Sequence, residues 1–301
     1  MPQQYIAYFN GEWVPYSQVK IHADDPGFSV GDVVFDVERT FNGKLFRLEQ
    51  HIQRLYRSLK YVRIDPGLSA DEMHALTEEA VGRNQHLREA AGDFSCRQFV
   101  SRGSGGPHDP GASTVCVRVS PLSFPYADKY AEGLRAVVTK TRSYDSQMLD
   151  PKVKHTSRMN FVLAHLEAND VDPGAFPILT DMSGNLTEGR AQNVFIVADG
   201  VIRTPADDSI LQGVSRGMVI ELARQLGIPL LEEDVQPYDL YTADEAFFSS
   251  SGPCVLPVTT VDRRPIGDGR PGPVVQRLLA AWSEAVGVDI VGQALHYGPR
   301  M

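Results

Sequence analysis

The fold of this chain is decided by the stretch Leu186-Thr-Glu-Gly-Arg-Ala-Gln-Asn-Val-Phe195, read together with Leu211-Gln-Gly-Val-Ser-Arg216. Glu188 ends one predicted strand and Asn193 begins the next. Asp199-Gly200 then turns that strand into a tight hairpin, because this dipeptide accepts the left-handed backbone that short hairpin turns require. The pattern therefore predicts a buried type of carboxylate beside a hairpin.

The second stretch opens a predicted helix. Gly227 and Pro229 end this helix, and the free amides at its start, around Gly213 to Ser215, suit an anion. A carboxylate and an anion site in one short segment indicate a cofactor that carries both a basic atom and a phosphate. The apolar residues at helical spacing are Val214, Met218, Leu222 and Leu226.

The composition is that of a globular protein, with 42% hydrophobic and 22% charged residues among 301. The net charge of -9 argues against nucleic acid or an anionic membrane as a partner, since phosphate binding needs surplus Lys and Arg. Cys96, Cys116 and Cys254 are isolated, which indicates core positions and predicts no metal site. Because no stretch approaches the roughly 18 apolar residues of a membrane span, we expect a cytoplasmic protein with no membrane partner.

The first part of the chain alternates predicted hairpins and helices. Asn10-Gly11 and Asn42-Gly43 are strong turn signals. A helix over 49–61 has one apolar stripe, and a second helix over 69–83 begins at the capping box Ser69-Ala-Asp-Glu72. Three basic residues lie off the apolar stripe of the first helix, namely His51, Arg54 and Arg57.

Two further strands are predicted at 93–102 and 114–119, with a loop over 103–111 between them. Arg97 and Arg102 are five residues apart and would therefore point to opposite faces of a regular strand. We expect at most one of these arginines to face a given pocket.

The segment Pro121-Leu-Ser-Phe-Pro-Tyr126 is the best linker candidate, since two prolines bracket it. We predict an N-terminal domain over 1–120, a linker over 121–133 and a C-terminal domain over 134–301. Both domains mix strands and helices, which indicates an α+β or mixed α/β fold. The C-terminal domain contains a predicted amphipathic helix whose apolar stripe is Met159, Val162, Leu163 and Leu166.

These motifs resemble the class IV, fold type IV pyridoxal-phosphate aminotransferases. The matching pattern is Glu188, Asn193-Val-Phe195, Ile202-Arg-Thr204 and Leu211-Gln-Gly-Val-Ser-Arg216. Runs near Gly31 and His51 extend the likeness over nearly the whole chain. The resemblance implies two domains with the cofactor site between them, pyridoxal 5'-phosphate as the cofactor, and a homodimer or larger homo-oligomer.

The resemblance also implies roles for single residues. Lys154 matches the lysine that binds the cofactor covalently and acts as the catalytic base, and Glu188 matches the carboxylate that bonds the pyridine nitrogen. The other implied cofactor contacts, mostly around the phosphate, are Arg54, Asn193, Gly213, Val214, Ser215, Ser250 and Ser251. The implied substrate pocket contains Phe35, Arg97, Arg102, Met159 and Arg190.

Several of these residues have alternative interpretations. Lys152 is a rival for the role of Lys154, and Arg54 could form an ion pair on a helix surface. Arg97 and Arg102 could each bind a substrate carboxylate or form a structural ion pair, while Phe35 and Met159 could be plain core. Arg190 replaces the small residue usual in the family, and Gln192 favours no subgroup, so the substrate stays open.

The predicted reaction is a ping-pong transamination between an amino donor and a 2-keto acid. The sequence is most similar to the branched-chain aminotransferase group, with (R)-amines as further candidate donors. The alternatives are a D-amino-acid aminotransferase, an aminodeoxychorismate-type lyase on the same cofactor, and a binding module that has lost catalysis.

Overall fold

The computed structural model describes residues 4–104 and 113–298, so most of the loop predicted over 103–111 lies outside the described residues. The chain forms two compact units. Unit 1 is Met1–Ser123 with Val153–Ser157, and unit 2 is Phe124–Lys152 with Arg158–Met301. The first boundary falls inside the predicted linker.

The segment Val153–Ser157 belongs to unit 1, although the sequence placed it in the C-terminal domain. Its backbone is bound to a strand of unit 1: Phe35 N donates to Lys154 O at 3.0 Å, and Thr156 N donates to Val33 O at 3.0 Å. These long-range hydrogen bonds leave no periodic signal in the sequence, which is why the assignment of this segment differed.

Unit 1 is a six-stranded sheet in the order β2-β1-β6-β5-β3-β4, with α2 and α3 packed on one face. The hydrophobic core lies between that face and the two helices and includes Ile52, Leu55, Met73 and Phe94. Its elements are β1 (Ile6–Phe9), β2 (Glu12–Pro15), α1 (Pro26–Ser29), β3 (Val33–Phe41), β4 (Lys44–Leu45), α2 (Leu48–Val62), α3 (Ala70–Asn84), α4 (Arg88–Ala91), β5 (Phe94–Ser101) and β6 (Thr114–Pro121).

The local signals of unit 1 are confirmed. Both residues of Asn10-Gly11 and of Asn42-Gly43 have positive φ, as two-residue hairpin turns require. The capping box at the start of α3 is complete, because the Ser69 side chain accepts from Glu72 N and Glu72 accepts from Ser69 N.

Unit 2 contains a nine-stranded sheet in the order β12-β11-β10-β13-β14-β7-β8-β9, with β15 paired to β14 and β9 paired also to β10. The β9–β10 pairing closes part of the sheet on itself. The elements are α5 (Lys129–Glu132), β7 (Leu134–Arg142), α6 (Met159–Val171), β8 (Phe176–Thr180), β9 (Leu186–Gly189), β10 (Asn193–Ala198), β11 (Val201–Thr204), α7 (Val214–Gln225), β12 (Leu230–Glu232), α8 (Pro237–Tyr241), β13 (Glu245–Ser250), β14 (Cys254–Val261), β15 (Arg264–Pro265), α9 (Pro273–Val286) and α10 (Ile290–Tyr297).

The hairpin predicted at Asp199-Gly200 is confirmed. Asp199 and Gly200 have positive φ and join β10 to β11 in a two-residue hairpin. Helix α6 packs on β7 and β8, whereas α7 and α9 pack on β13 and β14. Strand β8 and helices α5 and α10 were not predicted, and the residues of α5 had been assigned to the linker. Within residues 4–104 and 113–298 no single helix is long and apolar enough to cross a membrane, and α9 with α10 meets that test only as a pair bent by 87°.

Helix α6 corrects one expectation. The residues of its predicted buried stripe are exposed, and the helix instead buries Phe161, Ala164 and Ala168 against the sheet. The small alanines allow close packing on that side, so α6 is apolar on both faces. The exposed fractions are 69% for Met159, 43% for Val162, 51% for Leu163 and 56% for Leu166.

Candidate active site

Lys154 is held in unit 1 beside β3 and α2. Its carbonyl accepts from Phe35 N, and its own N–H donates to the Ser58 hydroxyl at 3.1 Å. Its Nζ lies 4.9 Å from the centre of the Phe35 ring. The backbone of Lys154 is therefore fixed on both sides, which holds the amine over an aromatic face.

Arg54 lies on α2 in a buried ion-pair cluster with Asp36 of β3. Its Nε and Nη2 donate to the two Asp36 oxygens at 2.9 and 2.6 Å, and His51 Nδ1 lies 2.8 Å from Asp36 Oδ1. All three side chains are buried. Arg54 is thus held inside the unit by a bidentate carboxylate, which differs from the helix-surface ion pair considered as an alternative.

The charges in this cluster determine its protonation. Burial alone would raise the pKa of Asp36, but the charges and hydrogen bonds of Arg54 and His51 outweigh burial and hold that pKa well below its usual range. Burial lowers the pKa of His51, opposed by Asp36. The charges of Arg54 and Lys154 lower the pKa of His51 further.

Glu38 extends this cluster into the core. It is fully buried, and its Oε1 accepts from Gln98 Nε2. Burial and then the charge of Asp36 raise the pKa of Glu38 to about 8. Asp36, Glu38 and His51 offer ligand-type atoms within 4.8 Å of one another, but the cation that Asp36 binds here is the guanidinium of Arg54.

The opposite face of the unit 1 sheet carries two arginines, one of which lies beside Phe35. The guanidinium carbon of Arg97 lies 4.3 Å from the centre of the Phe35 ring, and Arg97 is directly opposite Arg118 on the neighbouring strand. Burial and then the charge of Arg118 lower the pKa of Arg97. Among the described residues neither arginine has a carboxylate within 4.0 Å, so this face suits an anion.

Arg102 has a different environment from Arg97. It follows the last residue of β5 and binds Asp32 through Nε at 2.6 Å and through Nη2 at 3.2 Å. Its Nη1 and Nη2 also donate to the carbonyls of Arg63 and Val62. These contacts favour a structural ion pair for Arg102.

In unit 2, Glu188 lies on β9 directly opposite Asn193 of β10, and Asn193 is directly opposite Ser249 of β13. Glu188 is only 4% exposed. Three polar residues thus form a row across neighbouring strands. The five-residue offset between Glu188 and Asn193 places them opposite each other, because the residues between them form the turn from β9 to β10.

Asn193 connects this row to the start of α7. Its Nδ2 donates to Leu211 O at 2.9 Å, and a Cβ added to Gly213 would lie 2.1 Å from Asn193 Oδ1. A glycine is therefore needed for this close approach. Ser250 is the last residue of β13, the strand that lies against Asn193, and Ser251 follows it directly.

The start of α7 fits the phosphate of the implied cofactor. The helix begins after Gly213 with no side-chain cap and no acidic residue in its first turn, so its free amides attract an anion. The hydroxyl of Ser249 is buried with no hydrogen-bond partner among the described atoms. The donors expected for the phosphate are Val214 and Ser215, the first two residues of α7, with Ser250 and Ser251 at the end of β13.

Two other signature residues have structural roles. The Thr204 hydroxyl donates to Val194 O at 2.8 Å and joins β11 to β10. Arg216 Nη2 donates to Pro205 O at 2.9 Å and to Glu232 Oε2 at 2.7 Å. Arg216 therefore fixes the first turn of α7 to the strands.

The remaining predicted pocket residues also belong to unit 2. Met159 is largely exposed at the start of α6, and Arg190 is exposed in the turn after β9. In that turn, Gly189 N donates to Gln192 O and Ala191 N donates to the Gln192 side chain. Lys152, the rival of Lys154, forms an ion pair with Asp150 at 3.1 Å.

The comparisons with known proteins identify the family. A family model described as amino-transferase class IV matches residues 33–261. The chain therefore belongs to the class IV aminotransferases.

Its relatives divide between two substrate groups. A Methanocaldococcus jannaschii protein, provisionally named a branched-chain-amino-acid aminotransferase, is 36% identical, with 90% of this chain and 93% of the relative covered. The D-alanine aminotransferase of Bacillus licheniformis is 30% identical, covering 92% and 96%. The branched-chain amino acid aminotransferase of T.th., solved with pyridoxamine 5'-phosphate, superimposes with a TM-score of 0.87 at 27% identity, covering 98% and 96%.

The protein is accordingly a pyridoxal-phosphate-dependent transaminase of fold type IV. Its substrates are an amino acid and a keto acid, and it is similar to branched-chain and D-amino-acid aminotransferases. The sequence reasoning assigned no role to Asp36, Arg118 or Arg158. Only the i, i+3 spacing of His51 and Arg54 on α2 could have indicated that these two residues share a carboxylate.

Proposed function

We propose that this chain moves an amino group between an amino acid or (R)-amine donor and a 2-keto acid in two half-reactions, with Lys154 as the catalytic base. The observation that carries the proposal is the placement of Lys154. Its backbone is held by β3 and α2, and its amine lies over the Phe35 ring.

The cofactor, when bound, supplies an electron sink for the pair of electrons left on the substrate carbon. The Lys154 amine would accept the proton from the substrate α-carbon and return it in the second half of the transfer. Glu188 would hold the pyridine nitrogen in its protonated form. The resemblance assigns the phosphate to the positive charge of Arg54 and to the amides at the first turn of α7.

The donor is the finer part of the proposal. The positive charge of Arg97 and Arg118 on the Phe35 face attracts anionic substrates such as amino acids and keto acids. The branched-chain-like relatives favour amino acids with apolar side chains, and the D-alanine aminotransferases keep the D series as the second candidate. An (R)-amine has no carboxylate, so we expect it to be the weaker donor.

The test is a single-turnover experiment with the holoenzyme, in which the cofactor absorbance is followed without keto acid. L-leucine, D-alanine and (R)-1-phenylethylamine are added separately, and the donor that converts the cofactor to its amine form identifies the subgroup. Lys154→Ala should abolish conversion, whereas Lys152→Ala should retain it. Aminodeoxychorismate is added as a fourth compound, and release of pyruvate from it without that conversion would indicate the lyase. Conversion by Lys154→Ala would refute the lysine assignment.

We also propose that the protein is a homodimer through the exposed face of α6. Five large apolar side chains of this helix are exposed, namely Met159, Val162, Leu163, Leu166 and Val171, and such a patch is typical of an interaction surface. Leu163→Glu should shift the sedimentation coefficient from dimer to monomer. Leu295→Glu is the control, since Leu295 is 62% exposed on α10. A wild-type monomer, or a Leu163→Glu dimer, would contradict this interface.

A further inference from the structure

Arg158 is a cation that the sequence reasoning did not assign to the site. It is the residue before α6, and its guanidinium carbon lies 3.8 Å from the centre of the Phe161 ring. Its Nη2 donates to the carbonyl of Arg190 at 2.7 Å. Arg190 is two residues beyond Glu188, so the guanidinium is held at the end of β9 that carries the proposed pyridine partner.

The guanidinium of Arg158 has no carboxylate partner within 4.0 Å in the described part of the chain. The hydrogen bond to Arg190 uses one of its five donors. Burial has the largest effect on the pKa of Arg158 and lowers it. The nearby charges act in opposite directions, since the Glu188 carboxylate raises this pKa and the Arg190 cation lowers it. A partly buried guanidinium without a carboxylate partner is stabilised when an anion binds it.

The stacking on Phe161 fixes the direction of this cation. Phe161 is 2% exposed and belongs to the face of α6 that packs on the sheet, so the guanidinium plane is held from one side. An arginine fixed in this way keeps its planar fork for bidentate binding of a carboxylate.

We propose that Arg158 is a specificity residue that binds the substrate carboxylate in unit 2. The inference rests on the proposed function, because it assumes that amino and keto acids bind beside Glu188. Arg190, which the sequence analysis listed in the substrate pocket, contributes its backbone carbonyl to Arg158. Arg158 would then distinguish amino acids and keto acids from simple amines.

The test measures binding to the holoenzyme by calorimetry, with 4-methylvalerate as the carboxylate probe and 4-methylvaleramide as its neutral match. Arg158→Gln should weaken binding of the carboxylate roughly 10- to 100-fold, as expected for one charged hydrogen-bonded pair, and leave binding of the amide unchanged. Arg158→Lys should retain part of the preference. Arg135→Gln is the control, since Arg135 is an exposed partner of Asp172.

Equal loss for the carboxylate and the amide would overturn the proposal and indicate a structural role for Arg158. Unchanged binding of both probes, or a change only in cofactor affinity, would overturn it as well. The failure of the proposed function is distinguishable, because it would appear in the wild-type protein as an unaltered cofactor spectrum with every donor. Circular dichroism of both Arg158 variants checks that they fold.

Discussion

Glu38 leads to a prediction about stability and pH. Its carboxyl is fully buried, and its pKa is raised from 4.5 to about 8. A carboxyl whose pKa is raised on folding binds more protons in the folded state, so the free energy of unfolding falls as pH rises between the two pKa values. The substitution that removes this effect is Glu38→Gln, which keeps the shape and the acceptor for Gln98.

The magnitude follows from the two pKa values. Each pKa unit corresponds to about 1.4 kcal/mol for one proton. Glu38 should therefore lower the free energy of unfolding of the wild type by about 3 to 4 kcal/mol between pH 5 and pH 8. Below pH 4.5 this cost is absent, and above pH 8 it is complete. The difference in stability between Glu38→Gln and wild type should therefore grow by this amount in favour of Gln.

The assay is thermal and urea unfolding of both proteins, saturated with cofactor, at pH 5, 6.5 and 8. The other titrating groups cancel in the difference between the two proteins, as long as Glu38→Gln leaves them in place. Glu79→Gln is the matched control, because Glu79 is an exposed carboxylate on α3 paired with Arg83. A Glu38→Gln difference that is constant between pH 5 and pH 8 would refute the reasoning.

Three further substitutions test the neighbouring contacts. Asp36→Asn should destabilise unit 1 by about 3 to 5 kcal/mol, because it leaves Arg54 buried without its carboxylate. It should also weaken cofactor binding. Urea unfolding measures the first effect and a cofactor titration measures the second. Gly213→Ala should lower the free energy of unfolding by about 1 to 3 kcal/mol, because the added Cβ is forced against Asn193. It should also lower cofactor affinity more than the control Gly217→Ala, whose added Cβ meets nothing within 4 Å. Ser69→Ala should cost about 1 kcal/mol without affecting cofactor affinity; equal cofactor loss in Ser69→Ala and Asp36→Asn would show that global stability alone explains both.

Local chemistry explains what the sequence could predict. The three hairpin turns, the capping box of α3 and the starts of β10 and α7 depend on residues within a few positions of one another. The spacing of Glu188 and Asn193 likewise follows from one turn between two strands. These features need only local backbone preferences and short-range hydrogen bonds.

The parts that could not be predicted depend on which surface another element covers. Helix α6 has apolar residues on both faces, so periodicity could not show that Ala164 and Ala168 pack on the sheet while Leu163 is exposed. In the sequence, Asp36 is a single polar residue in a predicted strand, and only the packing of α2 on that strand shows that Arg54 lies beside it. Lys154 joins unit 1 through backbone hydrogen bonds that any residue type could make.

Strand β3 shows how the two kinds of information combine. Alternate residues face opposite sides of the sheet, so Phe35 contacts Lys154 and Arg97, whereas Asp36 and Glu38 lie in the interior cluster with Arg54. A shift of one residue in the pairing of β3 would exchange these two sets and bury Phe35 against Arg54. Because Asp36 binds Arg54 and the segment of Lys154 pairs with the backbone of β3, one strand fixes both the proposed phosphate cation and the proposed catalytic amine. Under the proposed function, the register of β3 is therefore a condition for catalysis as well as for the fold.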